Sequence, residues 1–193
     1  MQRLKGITTG GLPTFIDIKD DVAVNDRIEE DNLLSQLVSA KRRVTFLGDD
    51  TWVKLFRQDA FVRAYPFPSF NVKDLDTVDS GVWSMLHDEL DKKDWDVVIA
   101  HFLGVDHAGH RYGPAHSEMT RKLMQMDDIV ESVMRFVDLN PGVLLVVMGD
   151  HGMTQEGNHG GASDEERSAA LFLYSAKDLP GLTPAAHARL DEN

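Results

Sequence analysis

The chain has 193 residues, of which 20 are Lys or Arg and 32 are Asp or Glu, so its formal net charge at pH 7 is −12. A chain this acidic lacks the basic surface by which proteins bind nucleic acid, and electrostatics would not draw it to anionic lipid. Cysteine is absent, which excludes disulfides, thiolate catalysis and Cys-ligated zinc. A bound metal ion would therefore need His and carboxylate ligands.

Apolar periodicity predicts alternating strands and helices along the chain. Helices are predicted at 30–42, 76–90 and 117–138, strands at 44–47, 97–103, 143–148 and 170–174, an edge strand within 57–72, and a frayed helix from 183. Continuous apolar runs such as 97–103 are typical of strands covered on both faces. The pattern predicts one α/β domain over residues 1–193, with a mostly parallel sheet, helices on both faces, and an unassigned tail from about residue 176.

Polar residues cluster directly after the predicted strands, where ligands bind in parallel sheets. Asp106 and His110 follow the strand at 97–103, and Asp150 and His151 follow the strand at 143–148. His159 comes shortly afterwards, in the glycine-rich segment 157–161. The acidic run 164–166 is predicted to cap the next element and to be solvated.

These five side chains have the chemistry of a catalytic metal site, because zinc without thiolates takes His nitrogens and Asp oxygens. Two ions about 3.5–4 Å apart can hold both the attacking and the leaving oxygen of a phosphoryl displacement. Asp106 and His110 are four residues apart, so a helical turn would direct both to one ion. A single Asp-His pair in a loop is more often a solvated turn, but three clusters after buried strands favour a site. Outside that context lie His87, His101, His116 and His187, predicted to be structural or exposed, and His107, for which no role is predicted.

The motifs DHAGH at 106–110, GDHGM at 149–153 and HGG at 159–161 resemble the alkaline-phosphatase-like superfamily of metal-dependent transfer enzymes. A narrower resemblance, to the GPI ethanolamine phosphate transferases, comes from LKGITTG at 4–10, LPTF at 12–15, EDN at 30–32, GDDTW at 48–52 and WDV at 95–97. Segments 67–72 and 74–79 resemble the corresponding sequences in one branch of these transferases, the branch that modifies the third mannose.

The resemblance implies an alkaline-phosphatase-like α/β domain on the lumenal face of the endoplasmic reticulum membrane, carried by a longer membrane protein. It implies transfer of phosphoethanolamine from phosphatidylethanolamine to a mannose of the GPI precursor, and a small membrane partner subunit. Two divalent metal ions are expected, both Zn²⁺ by ligand type. By resemblance, Asp106, His110 and His159 are ligands of one ion, and Asp150 and His151 are ligands of the other.

The catalytic nucleophile is not assigned within this chain. In the family, a first strand ending in an Asp ligand and a nucleophilic Thr precede the stretch that resembles residues 1–6, so both are expected upstream of Met1. Two alternatives remain: a soluble metal-dependent phosphodiesterase of the nucleotide pyrophosphatase kind, and a catalytically inactive fragment. The EDN and GDDTW segments count against the first, and no other cofactor is expected.

Overall fold

The computed structural model describes residues 2–11 and 27–178. The LPTF segment at 12–15 and the helix predicted from 183 lie outside the described residues. The chain divides into two compact units. The first comprises Met1–Leu123 and Asp150–Ser168, and the second comprises Met124–Gly149 and Ala169–Asn193.

The helices and strands predicted between residues 30 and 174 each have a described counterpart, but the apolar periodicity does not predict the helices at 51–55 and 104–112. In chain order the described elements are α1 (Gln2–Thr9), α2 (Leu33–Ser39), β1 (Val44–Asp49), α3 (Thr51–Leu55), a 3₁₀ turn (Gln58–Ala60), β2 (Arg63–Phe67), α4 (Thr77–Asp91), β3 (Val97–Ala100), α5 (Gly104–Tyr112), α6 (Ser117–Leu139), β4 (Leu144–Met148), α7 (Asp164–Arg167) and β5 (Leu171–Ser175). Among these helices, none is both long enough and apolar enough to cross a membrane.

The first unit contains a three-stranded parallel sheet in the order β2-β1-β3, which confirms the predicted α/β class. The central strand β1 is buried along its whole length, as predicted for segment 44–47. The prediction that the apolar run 97–103 is a strand covered on both faces is wrong, because β3 ends at Ala100 and is half-buried at the edge of this sheet. Phe46 of β1 stacks on Trp52 of α3, with ring centroids 5.2 Å apart, in the main apolar core. Because all three strands run in one direction, the segments that follow them emerge at one edge of the sheet.

The second unit contains β4 and β5, which pair antiparallel with Leu144 opposite Ser175. The prediction that β4 is covered on both faces is wrong. Leu144, Val146 and Met148 are exposed while the alternate side chains are half-buried, as expected for a strand with one covered face. An apolar run does not specify strand direction, because direction depends on the route of the connecting chain.

Candidate metal centre

Helix α5 carries the first two candidate ligands. It begins at Gly104, four residues after the end of β3, and ends at Tyr112, where Gly113 follows with a φ of +76°. The helical turn between Asp106 and His110 places both side chains on one face. As a result, Nε2 of His110 lies 3.5 Å from Oδ2 of Asp106.

His159 reaches the same carboxylate because its own segment packs directly on α5. Gly157 has a φ of +78°, and a Cβ at this position would overlap the carbonyl oxygen of Gly109. Only glycine permits so close an approach of two backbones. Two residues later, Nε2 of His159 lies 3.3 Å from Oδ1 of Asp106. Potential ligand atoms of Asp106, His110 and His159 all lie within 4.8 Å of one another.

Asp150 and His151, assigned from the sequence to a second ion, lie beside the first three residues. Nε2 of His151 is 3.5 Å from Oδ2 of Asp150 and 3.8 Å from Oδ1 of Asp106. The imidazole of His151 also stacks on that of His159, with ring centroids 3.8 Å apart. Asp106 is therefore the point at which the two predicted ligand sets meet.

The tautomer of His151 is fixed by the backbone. Its Nδ1 lies 2.9 Å from the carbonyl oxygen of Gly152. Since a carbonyl oxygen only accepts, Nδ1 carries a proton and donates, so Nε2 is the ring nitrogen that faces the carboxylates. Histidine ligands of metals characteristically have the other ring nitrogen bound in this way.

The electrostatics of the cluster fit a cation. Oδ1 of Asp106 is buried and accepts no hydrogen bond from the described residues, although a buried carboxylate oxygen ordinarily has a donor or a positive charge beside it. Burial lowers the pKa of His159, and the neighbouring His151 lowers it further, so the His159 imidazole is kept neutral. A carboxylate oxygen without a hydrogen-bond donor, facing the neutral His159 imidazole, suits a divalent metal ion, since metal-binding His must be neutral.

The turn after His159 is held by a buried acid. The Glu166 carboxylate accepts hydrogen bonds from the Ser163 hydroxyl at 2.7 Å and from the N–H groups of Gly161 and Ser163 at 2.8 and 3.1 Å. These bonds lower the pKa of Glu166. The acidic run 164–166 does form a capped helix, but the prediction that it is solvated is wrong for Glu166, because Glu166 turns back onto the site loop.

Two other histidines have structural partners. His107, for which the sequence predicts no role, is buried in α5 and donates from Nδ1 to the backbone oxygen of Asp74 at 2.7 Å. It thereby binds α5 to the loop before α4. His101 follows β3, and its Nδ1 accepts a hydrogen bond from Nε1 of Trp52 at 3.0 Å. Its position at the carboxyl end of a strand was the only sequence signal of this contact.

The contact between Gly157 and α5 gives a test of the site's construction. We expect Gly157→Ala to destabilise the protein by about 3 kcal/mol or more, because a positive φ and a backbone overlap are added together. Zinc affinity should fall as well, since His159 would be moved away from Asp106. Gly10→Ala is the matched control, because Gly10 also has a positive φ (+68°) but has open space around it. Thermal melts and zinc titrations check both variants, and equal effects would show that the overlap is unimportant.

Comparison with known proteins identifies the family. The family described as type I phosphodiesterase / nucleotide pyrophosphatase matches residues 14–184, which is most of the chain. The chain belongs to this family. Membership agrees with the α/β fold and with a metal-type ligand cluster at the strand ends.

Individual relatives of the chain fall within a narrower group of enzymes than the family as a whole. The chain is 56% identical over 184 residues to human "GPI ethanolamine phosphate transferase 3, catalytic subunit". The matched segment covers 95% of this chain and 16% of that protein. It is 50% identical to GPI ethanolamine phosphate transferase 3 of Saccharomyces cerevisiae, over 92% of this chain and 17% of that protein. It is 44% identical to GPI ethanolamine phosphate transferase 2 of Candida albicans, over 92% of this chain and 21% of that protein. The chain therefore spans only a small part of the length of these relatives.

Proposed function

We propose that this chain is the metal-binding core of an enzyme that transfers phosphoethanolamine from phosphatidylethanolamine to a mannose of the GPI-anchor precursor. The observation that carries this proposal is the convergence of Asp106, His110 and His159 within 4.8 Å, in a chain 56% identical to a GPI ethanolamine phosphate transferase. A phosphodiester substrate is also consistent with membership of the phosphodiesterase family.

The residues of the cluster would divide between two divalent cations. Asp106, His110 and His159 would hold one ion, and Asp150 and His151 would contribute to the other, with zinc favoured by the ligand types. When bound, such ions polarise phosphoryl oxygens and stabilise the charge that develops on the attacking and leaving oxygens. The protein contributes a neutral His159, an oriented His151 and an unpaired Asp106 oxygen.

The nucleophile we propose is a Thr upstream of Met1 in the full-length protein. The two threonines of α1 are poor substitutes, because both hydroxyls already donate inside the helix. Oγ1 of Thr8 donates to the Leu4 carbonyl at 2.7 Å, and Oγ1 of Thr9 donates to the Lys5 carbonyl at 2.8 Å. A hydroxyl committed in this way is less available to attack phosphorus.

The proposed reaction has two displacements at phosphorus. The Thr oxygen attacks the phosphodiester, the bond from phosphorus to the glycerol oxygen breaks, and diacylglycerol leaves with the proton. A mannose hydroxyl then attacks the phosphoethanolamine ester on Thr, and the Thr hydroxyl is restored. The acceptor we propose is the third mannose, supported by the resemblance of segments 67–72 and 74–79 and by the higher identity to relatives named transferase 3 than to one named transferase 2.

The location we propose is the lumenal face of the endoplasmic reticulum membrane. Both substrates are lipids, so the core would be brought to the bilayer by segments of the full-length protein outside these residues and by a small membrane partner subunit. No nucleic acid takes part in the proposed reaction. The acidic composition agrees with that, since basic patches dominate nucleic-acid affinity.

The function is tested with membranes containing the full-length protein. They are supplied with phosphatidylethanolamine labelled in its headgroup and with a GPI precursor bearing three mannoses. We expect labelled phosphoethanolamine on the third mannose, located by fragmentation in a mass spectrometer, and its loss in a His159→Ala variant. His87→Ala is the control, because the His87 ring makes an edge-to-face contact with Trp83 in α4 and His87 is absent from the cluster. Hydrolysis of nucleotide diesters without any transfer would instead support the phosphodiesterase alternative.

A further inference from the structure

A buried ion pair lies against the beginning of α5, the helix that carries Asp106 and His110. Asp79 of α4 and Lys122 of α6 are both fully buried, and Nζ of Lys122 is 2.6 Å from Oδ2 of Asp79. Lys122 also donates to Oδ1 of Asp76 at 3.1 Å, and Arg121 binds the same carboxylate. Buried pairs of this kind are often no more stabilising than apolar side chains of similar volume, so the pair invites another explanation.

The second oxygen of Asp79 caps α5. Its Oδ1 accepts hydrogen bonds from the backbone N–H groups of Leu103 at 2.8 Å and Gly104 at 3.1 Å. These N–H groups lie at the start of the helix, where no helical carbonyl is available to them. The residue at the N-cap position is Leu103, whose side chain cannot accept a hydrogen bond. The cap is therefore supplied by another helix, and its negative charge suits the positive end of the helix dipole.

The pair is also in steric contact with the α5 backbone. A Cβ at Gly104 would overlap both the Lys122 side chain and the Asp79 carboxylate. Glycine at this position lets the Asp79 carboxylate reach the backbone N–H groups directly, with the Lys122 ammonium beside it. Asp106 is only two residues further along, within the first turn, whereas His110 lies in the second turn. Fraying of the first turn would therefore displace Asp106 more than His110.

We propose that Asp79 and Lys122 are positioning residues for the metal centre, an inference that rests on the proposed metal-binding function. Asp79 fixes the first turn of α5, so the Asp106 carboxylate is held between His110, His151 and His159. Lys122 balances the charge of Asp79 and holds its carboxylate in place. Neither side chain would touch the metal ion or the substrate.

The test compares two double variants of the full-length protein, Asp79→Asn/Lys122→Met and Asp79→Leu/Lys122→Met. Both remove the buried charges, but only asparagine keeps an oxygen that can accept from Leu103 and Gly104. Zinc affinity is measured by competition with a chelator, and the stability of the metal-free protein is measured by thermal melting. We expect the Leu/Met variant to bind zinc about 10–100-fold more weakly than the Asn/Met variant, as is usual when the supports of metal ligands are lost. It should also melt at a somewhat lower temperature, because the N–H groups of Leu103 and Gly104 lose their acceptor.

Hydrogen exchange of the unsubstituted protein gives a measurement that needs no variant to fold. The amides of Leu103 and Gly104 should be protected, although N-terminal helix amides ordinarily exchange rapidly. Rapid exchange at both amides, or equal zinc affinity in the two double variants, would overturn the positioning role. If the unsubstituted protein bound no zinc, the metal centre itself would be wrong, and this proposal would fall with it.

Discussion

Asp106→Asn is expected to lower the zinc affinity of the full-length protein by more than about 100-fold. Loss of a residue that only supports a metal ligand typically lowers affinity about 10–100-fold, so loss of a ligand itself should lower it further. The reason is that both oxygens of this carboxylate face imidazoles: Oδ2 lies 3.5 Å from His110, and Oδ1 lies 3.3 Å from His159 and 3.8 Å from His151. Asparagine keeps the shape of the side chain but removes the negative charge that lies beside all three histidines. Transferase activity should be lost together with zinc.

The control for this variant is Asp128→Asn, which removes an exposed carboxylate from α6. It makes the same chemical change and should leave zinc affinity and activity within about twofold of the unsubstituted protein, as surface substitutions generally do. Zinc affinity is measured for both variants by competition with a chelator. An Asp106→Asn protein that bound zinc as tightly as the control would remove Asp106 from the ligand set.

Residues 1–193 alone are expected to form no covalent phosphoethanolamine adduct, whereas the chain extended upstream to include the proposed nucleophilic Thr should form one. The difference should be several orders of magnitude, about the size seen when a covalent nucleophile is removed. Both proteins are incubated with zinc and an aryl phosphoethanolamine ester. Release of the aryl alcohol and the mass of the intact protein are then measured.

The extended protein with its proposed Thr replaced by Ala is the matched control, and it should behave like the short chain. Residual ester hydrolysis by metal-bound water would be common to all three proteins, so the adduct is the deciding signal. An adduct mapped to Thr8 or Thr9 would contradict the proposed position of the nucleophile, because the hydroxyls of both are hydrogen-bonded within α1.

The parallel sheet could be predicted because its signal is local. The segment Val44–Leu47 has three apolar residues and the β-branched Thr45, a composition typical of a buried strand, and β1 is buried throughout. The predicted strand edge was also sufficient to bring Asp106 and His159 together across 53 residues of sequence. The antiparallel pairing of β4 and β5 could not be predicted, since their apolar runs are the same in either direction.

The supports of the site are non-local, and the sequence pattern does not reveal them. The helix at 104–112 contains Gly104 and Gly109, both unfavourable in helices, and its cap comes from Asp79, 25 residues before Gly104. Likewise, Glu166 lies in an acidic run that is typical of a solvated surface, yet it holds the turn after His159. In each case the hydrogen bonds that hold the site join groups that come together only when the chain has folded.

The central claim is that Asp106, His110 and His159 bind one metal ion. Anomalous diffraction at the zinc edge, from crystals of the full-length protein grown with zinc, tests it most directly. The predicted result is a zinc peak about 2.0–2.2 Å from the Asp106 carboxylate and from a ring nitrogen of both His110 and His159. Zinc bound only elsewhere, with the Asp106 carboxylate hydrogen-bonded to protein groups alone, would contradict the account.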